Sequence, residues 1–322
     1  MAPPSPEAES AAAEFERQRP RLFALAYRML GSAAEAEDAV QDTYLRWAAA
    51  DRDGIEVPEA WLATVLTRQC LNRLGSARAR REAYVGPWLP EPVLTPDPAL
   101  GPLETVEQRE SVSMALLMLL EQLTPPERAA FVLREAFAYS HRAVAETIGV
   151  SEANAQQLYR RARQRVTENG PRRFSAAEPE HQRIVERFFA AASGEDPSQL
   201  EALLAAEVTS WADGGGRVAA ARRPVVGASK VARLLRGLVD RLPPQVAAHI
   251  GHGTLEAHAT EANARPALLI TLDGSVIAVS TLEVHDGIVT TMHTTANPEK
   301  LAFVDRQWKQ VAAPMPLWRV EA

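Results

Sequence analysis

Residues 86–102, GPWLPEPVLTPDPALGP, place six prolines in seventeen positions. Proline fixes φ and lacks an N–H, so this stretch cannot be a helix interior and is predicted to be an extended linker. A second break falls at 169–180, where Gly170-Pro171 ends one helical pattern and Pro179 precedes the next. The 322 residues exceed what one hydrophobic core usually supports. They read as segments 14–84, 103–170 and 181–322, with 85–102 as the linker between the first two.

The first two segments carry helical periodicity. Leu22, Leu25, Ala26, Met29 and Leu30 recur at helix spacing over 21–31, and Gly31 supplies a stop. Ser32 with Glu35 three residues on predicts a capping box, opening a helix to about Ala49 with the stripe Ala36, Val40, Tyr44 and Trp47. A third helix is expected from Pro58 to about Arg81, with Trp61 in the core, and one continuous helix from Val106 to Leu123. Pro125-Pro126 then opens another at its first turn.

The third segment changes period. Helices are expected at about 181–193 and 197–205, and another after Gly227. From Gln245 onward a β-meander is expected, because Asp273-Gly274 and Asp286-Gly287 stand between β-rich runs. The expected class is multi-domain: two all-α modules plus an α+β domain with a curved antiparallel sheet.

Composition bounds the function. The net charge of −6 argues weakly against a partner held by bulk electrostatics. Cys70 is the single cysteine, which permits no internal disulfide and fits a reducing cytoplasm. Neither a signal peptide nor an apolar run of membrane-spanning length is found, so no membrane association is expected. The charge is unevenly spread, however. Residues 68–81 hold five arginines and no acid, 160–173 hold six arginines and one acid, and 35–59 hold eight acids against two arginines. An arginine-rich helix is by itself an ordinary solvated surface.

The setting of the second basic run alters that reading. In SHRAVAETIGVSEANAQQLYRRARQRV, a short helix buries Val144, Ala145 and Ile148, Gly149 turns, and Ser151 caps a second helix that buries Ala155, Leu158, Ala162 and Val166. This is helix-turn-helix spacing. Glu152, Asn154, Gln156 and Gln157 are candidate base readers, and Arg160, Arg161 and Arg163 candidate phosphate contacts.

With acidic helix, basic helix and helix-turn-helix in this order, the first 170 residues resemble an extracytoplasmic-function (ECF) sigma factor of bacterial RNA polymerase. AEAEDAVQDTYLRWA (34–48) resembles region 2.2, PEAWLATVLTRQCLNRLGSARARRE (58–82) regions 2.3 and 2.4, and 111–166 region 4. The strings YVGPWLPEP, DGGGR (213–217) and NPEKL (297–301) resemble the SigJ-like group, in which the sigma module is fused to a SnoaL-like (NTF2-like) C-terminal domain. The resemblance implies a non-enzymatic, cytoplasmic protein without cofactor or metal, whose partners are core RNA polymerase, through its clamp coiled coil and flap, and promoter DNA. It assigns Glu37, Asp38, Gln41 and Asp42 to the polymerase clamp. Arg68, Arg73, Arg78, Arg80 and Arg81 go to the minus-10 strand, and the second helix of the helix-turn-helix to the minus-35 element. Asn72, Gly75 and Gln156 depart from the residues common in the family at their positions.

The resemblance also implies that the C-terminal domain regulates in cis. Trp88, Leu89 and Pro90 of the linker would dock near Asp213, Gly214, Gly215, Gly216 and Arg217, and near Asn297, Pro298, Lys300 and Leu301. The competing reading makes residues 181–322 a small-ligand-binding or isomerase/cyclase-type domain fused to a DNA-binding module. Its titratable candidates are Asp213, His249, His252, His258, His285 and His293. A closed pocket holding a paired Asp and His would favour it; a pocket filled by Phe188, Phe189 and Trp211 would oppose it.

Overall fold

The computed structural model describes residues 6–95, 106–169, 178–194, 196–249, 253–311 and 313–321. The chain divides into two compact units, Met1–Glu82 with Pro98–Pro171, and Ala83–Asp97 with Arg172–Ala322.

The first unit is helical: α1 (Pro6–Leu30), α2 (Ala33–Ala49), α3 (Pro58–Glu82), α4 (Val106–Glu110), α5 (Met114–Leu120), α6 (Pro125–Glu135), α7 (His141–Ile148) and α8 (Glu152–Asn169). The expected helix at 21–31 is the last part of α1, which starts well before Pro20. Gly31 follows it at φ 67°, a conformation that favours glycine. Ser32 caps α2 by accepting from the Glu35 amide at 3.0 Å. Trp47 is 1% exposed, while Trp61 is only half-buried, with its ring centroid 5.5 Å away.

The single helix expected over 106–123 is interrupted at 111–113. Ser113 caps α5 instead, accepting from the Leu116 amide at 3.2 Å, which removes the need for α4 to continue. α6 begins at Pro125 with a full capping box between Thr124 and Glu127. Gly149 ends α7 at φ 76°, its amide donating to Ala145 O at 2.9 Å.

Two buried arginines join the first helices to the later ones. Arg28 on α1 donates to Ser111 Oγ at 2.9 Å and to Ala24 O at 3.0 Å. Arg128 on α6 donates to the Arg28 carbonyl at 3.3 and 3.2 Å and to Glu121. Burial pulls their pKa values down to about 10 and about 9, so both remain cations at neutral pH. Backbone carbonyls, the Ser111 hydroxyl and one carboxylate accept from these guanidinium groups.

The second unit contains α9 (Glu178–Ser193), α10 (Pro197–Glu201), β1 (Leu204–Asp213), β2 (Val225–Val226), α11 (Ala228–His249), β3 (Thr254–Ala262), β4 (Arg265–Leu272), β5 (Ser275–His285), β6 (Ile288–Thr295), α12 (Pro298–Trp308) and β7 (Trp318–Glu321). Among the described residues the sheet runs β2-β1-β6-β5-β4-β3-β7. Both Asp-Gly turns form, with φ positive at Asp273, Gly274, Asp286 and Gly287.

Three expectations are corrected here. The helix expected at 197–205 ends at Glu201, and the chain enters β1 at Leu204. The meander does not begin at Gln245, because α11 continues through Pro243 and Pro244 to His249, with Leu242 packed on Leu255 and Leu272. The sheet is not wholly antiparallel, since β1 runs parallel to β6. Local turn signals reveal only the antiparallel neighbours.

One sheet face packs on α9–α11 through Val185, Phe188, Val208, Val231, Leu282 and Met292. The other meets α12 and the linker, where Ala267, Leu269 and Val279 join Leu94, Leu301 and Val304. The linker is a bound element of this unit. Leu94 bridges Ala262, Thr95 N donates to Glu261 O at 3.0 Å, and Asn263 N donates to Val93 O at 2.9 Å. Val93 N donates to Asn263 Oδ1 at 3.1 Å and Leu94 N to Gln307 Oε1 at 3.0 Å. Its apolar side chains compensate the ordering cost, for Leu89, Val93 and Leu94 are all buried.

Candidate functional site

Three separate strings of the second unit converge on Asp213, at the end of β1. Its side chain is fully buried, and both oxygens are saturated. Oδ1 accepts from the Tyr84 hydroxyl at 2.6 Å and the Gly215 amide at 3.0 Å. Oδ2 accepts from the Leu89 amide at 2.9 Å and from Lys300 Nζ at 2.6 Å.

Lys300 is 7% exposed and also donates to Leu89 O at 2.6 Å. Its ammonium lies 4.1 Å from the centre of the Trp88 ring and 4.7 Å from that of Tyr84. One cation is therefore held by a carboxylate, a carbonyl and two aromatic rings, three of these four groups from residues 84–89.

The neighbouring residues position this node. Asn297 caps α12, accepting from the Glu299 amide at 3.1 Å, and donates to the Tyr84 hydroxyl at 2.8 Å. Pro298 occupies the first helical turn, where no N–H is needed. Gly215 and Gly216 adopt φ of 60° and 72°; a side-chain carbon at Gly215 would lie 2.4 Å from the Asn297 amide nitrogen, so only glycine fits. Arg217 pairs with Glu299 at 2.5 Å. Leu301 packs with Leu94, and Pro90 is buried beside Leu89. Burial and the bond to Asp213 raise the Tyr84 pKa, keeping its hydroxyl a donor.

The expected residues Trp88, Leu89, Asp213, Gly215, Asn297 and Lys300 thus sit in one cluster, flanked by Pro90, Gly214, Gly216, Arg217, Pro298 and Leu301. Sequence reasoning assigns no role to Tyr84, although it opens the YVGPWLPEP string, nor to Asn263 and Gln307, whose partners lie more than 150 residues away.

In the first unit, Glu37, Asp38, Gln41 and Asp42 lie exposed on α2, with Leu45 58% exposed one turn on. Part of this charge is already paired, since Arg73 of α3 meets Asp42 at 2.7 Å and Asp38 at 4.0 Å. Arg68 donates to the last-turn carbonyls of α7, Thr147 O at 3.2 Å and Glu146 O at 3.4 Å. Both arginines therefore have protein partners here. The side chains of Arg78, Arg80 and Arg81 lie outside the described residues.

The exposed face of α8 carries Glu152, Asn154, Gln156, Gln157, Arg160, Arg161 and Arg163. Arg161 also reaches the buried carboxylate of Glu127 at 3.3 Å, and Arg165 does so at 2.8 Å. Burial would raise the Glu127 pKa, but bonds from Thr124 and these two charges hold it below the usual range. The pairing fixes α8 against α6.

Among the described residues Asp213 bonds no histidine. Asp213 lies opposite Thr295, and His293 opposite Trp211, so the two are not cross-strand partners. Asp213 has no lone pair to spare for a substrate. His258 bonds Pro314 O at 3.0 Å and packs on Trp308, while His285 is 43% exposed beside Asp286. The His249 side chain and His252 lie outside the described residues. Phe188 and Phe189 are buried, but Trp211 projects to the other face of the sheet from the Phe188 core. A cleft of about 180 Å³ between linker residues 85–87 and residues 212–222 is lined by Val85, Val218, Arg217 and Arg222 among others, with no carboxylate or imidazole side chain. Among the described residues no cluster of three or more metal-ligating groups occurs, and no helix is long and apolar enough to cross a membrane.

His293 makes stability depend on pH. Burial, and then the charge of Arg265, lower its pKa to about 4, from an ordinary value of 6.5. The unfolded chain binds this proton near pH 6.5 and the folded chain only near 4, so the contribution is complete above 6.5 and lost as pH falls towards 4. The loss should approach about 3 kcal/mol. Urea denaturation between pH 7.5 and 4.5 should find this slope in the natural chain and a smaller one in His293→Gln; equal slopes would contradict the assignment.

Residues 15–80 match the family model for Sigma-70 region 2, and residues 113–166 that for Sigma-70, region 4. The chain is 40% identical over 290 residues to the ECF RNA polymerase sigma factor SigJ of Mycobacterium tuberculosis, covering 89% of this chain and 92% of the relative. It is 31% identical over 292 residues to the probable ECF RNA polymerase sigma factor SigI of the same organism, covering 90% and 94%. The crystal structure of the M. tuberculosis SigJ protein matches it with a TM-score of 0.69 at 35% identity, over 90% of this chain and 97% of that one.

Proposed function

Because the chain belongs to the ECF RNA polymerase sigma factors, we propose that α2 docks it on core RNA polymerase, that α3 and α8 engage promoter DNA, and that the fused α+β unit regulates both in cis. The acidic face of α2 complements the basic coiled coil of the polymerase clamp, where opposite charge speeds and orients docking. Region 4 faces the flap. The polar amino-terminal residues of α8 read base edges in the major groove while Arg160, Arg161 and Arg163 neutralise phosphates. The observation that carries the DNA assignment is the continuous exposed face of α8, positioned by Gly149 and the buried stripe Ala155, Leu158 and Ala162.

Regulation rests on the linker. It connects the polymerase-binding and minus-35-binding segments, and its Leu89 and Trp88 are held at the Asp213–Lys300 pair. A change in the fused unit that loosens this hold shifts the population between forms that differ in the reach of the two segments. The second unit acts as a regulator, not as a catalyst.

Arg160→Ala and Arg163→Ala should each weaken binding of the full chain to minus-35 DNA similarly on all sequences. Each should lower the slope of log K against log salt by about 1. Asn154→Ala and Gln156→Ala should instead relax preference at single base pairs by about 1–3 kcal/mol. Fluorescence anisotropy at several salt concentrations separates these outcomes. Unchanged slopes and preferences would remove α8 from the DNA interface.

A further inference from the structure

We propose that the sheet face beneath α12 and the linker holds a second site, in which Thr281, Glu283, His293 and Thr295 bind a hydroxyl-bearing guest, ordered water or a small alcohol. The inference goes beyond the sigma-factor reading and draws on it only for its consequence for the linker.

Thr281 stands directly opposite His293 on the adjacent strand. Glu283 lies two residues along β5 and Thr295 two along β6, so the alternation of strand side chains puts all four on one face. They are 1, 5, 2 and 0% exposed, in the order Thr281, Glu283, His293, Thr295. Thr281 Oγ1, Glu283 Oε1, His293 Nδ1 and Thr295 Oγ1 are all buried without a hydrogen-bond partner. Native interiors leave only a few such groups per hundred residues, and here four occupy adjoining positions. A group that satisfies several at once explains the concentration better than four unrelated losses.

The donor set defines the guest. Ionised Glu283 accepts only, a threonine hydroxyl donates or accepts, and a neutral imidazole offers one of each. Burial and Arg265 keep His293 neutral at pH 7. Arg265 already neutralises Glu283 through its other oxygen at 2.7 Å, so a cationic guest would meet the guanidinium and an anionic one the carboxylate. An uncharged hydroxyl both gives and takes, and meets neither objection.

The location ties the guest to the linker. Ala267 pairs with Thr281, and Val279 with Thr295, and both Ala267 and Val279 pack with Leu94 of the linker and Leu301 of α12. Thr295 also faces Asp213 across β1. The core on the α9–α11 face is apolar by contrast.

Valine substitution tests this in the full chain, because it removes the hydroxyl at nearly constant shape. If the hydroxyls bind a guest, Thr281→Val and Thr295→Val each lower the melting temperature, by about 2–4 °C for a loss the size of one hydrogen bond. Hydrogen exchange at the Val93 and Leu94 amides should also accelerate. Electron density in a crystal structure of the full chain should lie within hydrogen-bond distance of at least two of the four atoms. An adduct in native mass spectrometry identifies a small alcohol, and density without an adduct identifies water. Valine variants that melt at or above the natural protein, or an empty site in that structure, overturn the proposal. These readouts do not involve transcription, so their failure leaves the sigma-factor reading standing.

Discussion

Lys300→Met is expected to lower the stability of the second unit by about 3–5 kcal/mol, because it strands the buried carboxylate of Asp213 without its cation. Three donors would remain on Asp213: the Tyr84 hydroxyl and the amides of Leu89 and Gly215. They stabilise the anion but do not neutralise it. The same change removes the bond to Leu89 O and the cation from between Trp88 and Tyr84, so the linker should loosen first. Adding Asp213→Asn to Lys300→Met should recover much of the loss, since it removes the unpaired charge. Urea denaturation, with hydrogen exchange at Leu89, reads both effects. A double variant as unstable as the single one would mean that packing, not charge, holds the node.

Ending the chain after residue 175 is expected to change promoter-dependent transcription several-fold while leaving initiation promoter-specific. The first unit has its own core, tied together by Arg28, Arg128 and the packing of α6 on α8, and lies wholly before this point; of the second unit only residues 83–97 and 172–175 would remain. The truncation strips the linker of Asp213, Lys300, Asn263 and Gln307, which fix its backbone, and exposes Leu89, Val93 and Leu94. The linker then has no partner from residues 176–322 to order it. Each 1.4 kcal/mol by which docking favours one arrangement of the chain is worth about tenfold in its population. An unchanged transcript yield would make the fused unit a passenger.

Much of this was legible in the sequence because it is local. Ser32, Gly149 and the Asp-Gly turns act within four residues of themselves, and the stripe of α8 follows from period alone. The sequence strings around Trp88, Asp213 and Lys300 could be singled out, but their pairing came only through resemblance, because partners 87 to 211 residues apart leave no periodic trace. Arg68 and Arg73, which the resemblance assigns to the minus-10 strand, also meet the end of α7 and Asp42, and no local pattern reveals those partners. The break at 111–113 escaped because Met114–Leu120 is apolar on nearly every side, which hides a helix start inside a continuous pattern. Parallel pairing of β1 with β6 spans some eighty residues and has no turn to announce it. The net charge misled in a similar way, being the average of an acidic α2 and an arginine-rich α8.

Run-off transcription with purified core RNA polymerase, on a promoter library, tests the central claim most directly when the full chain, the chain ended after residue 175 and no added protein are compared. The account predicts transcripts from a defined promoter set with the full chain, an altered yield from that set with the shortened one, and none without either. Transcripts that do not depend on the added protein, or no promoter-specific initiation by either form, would contradict it.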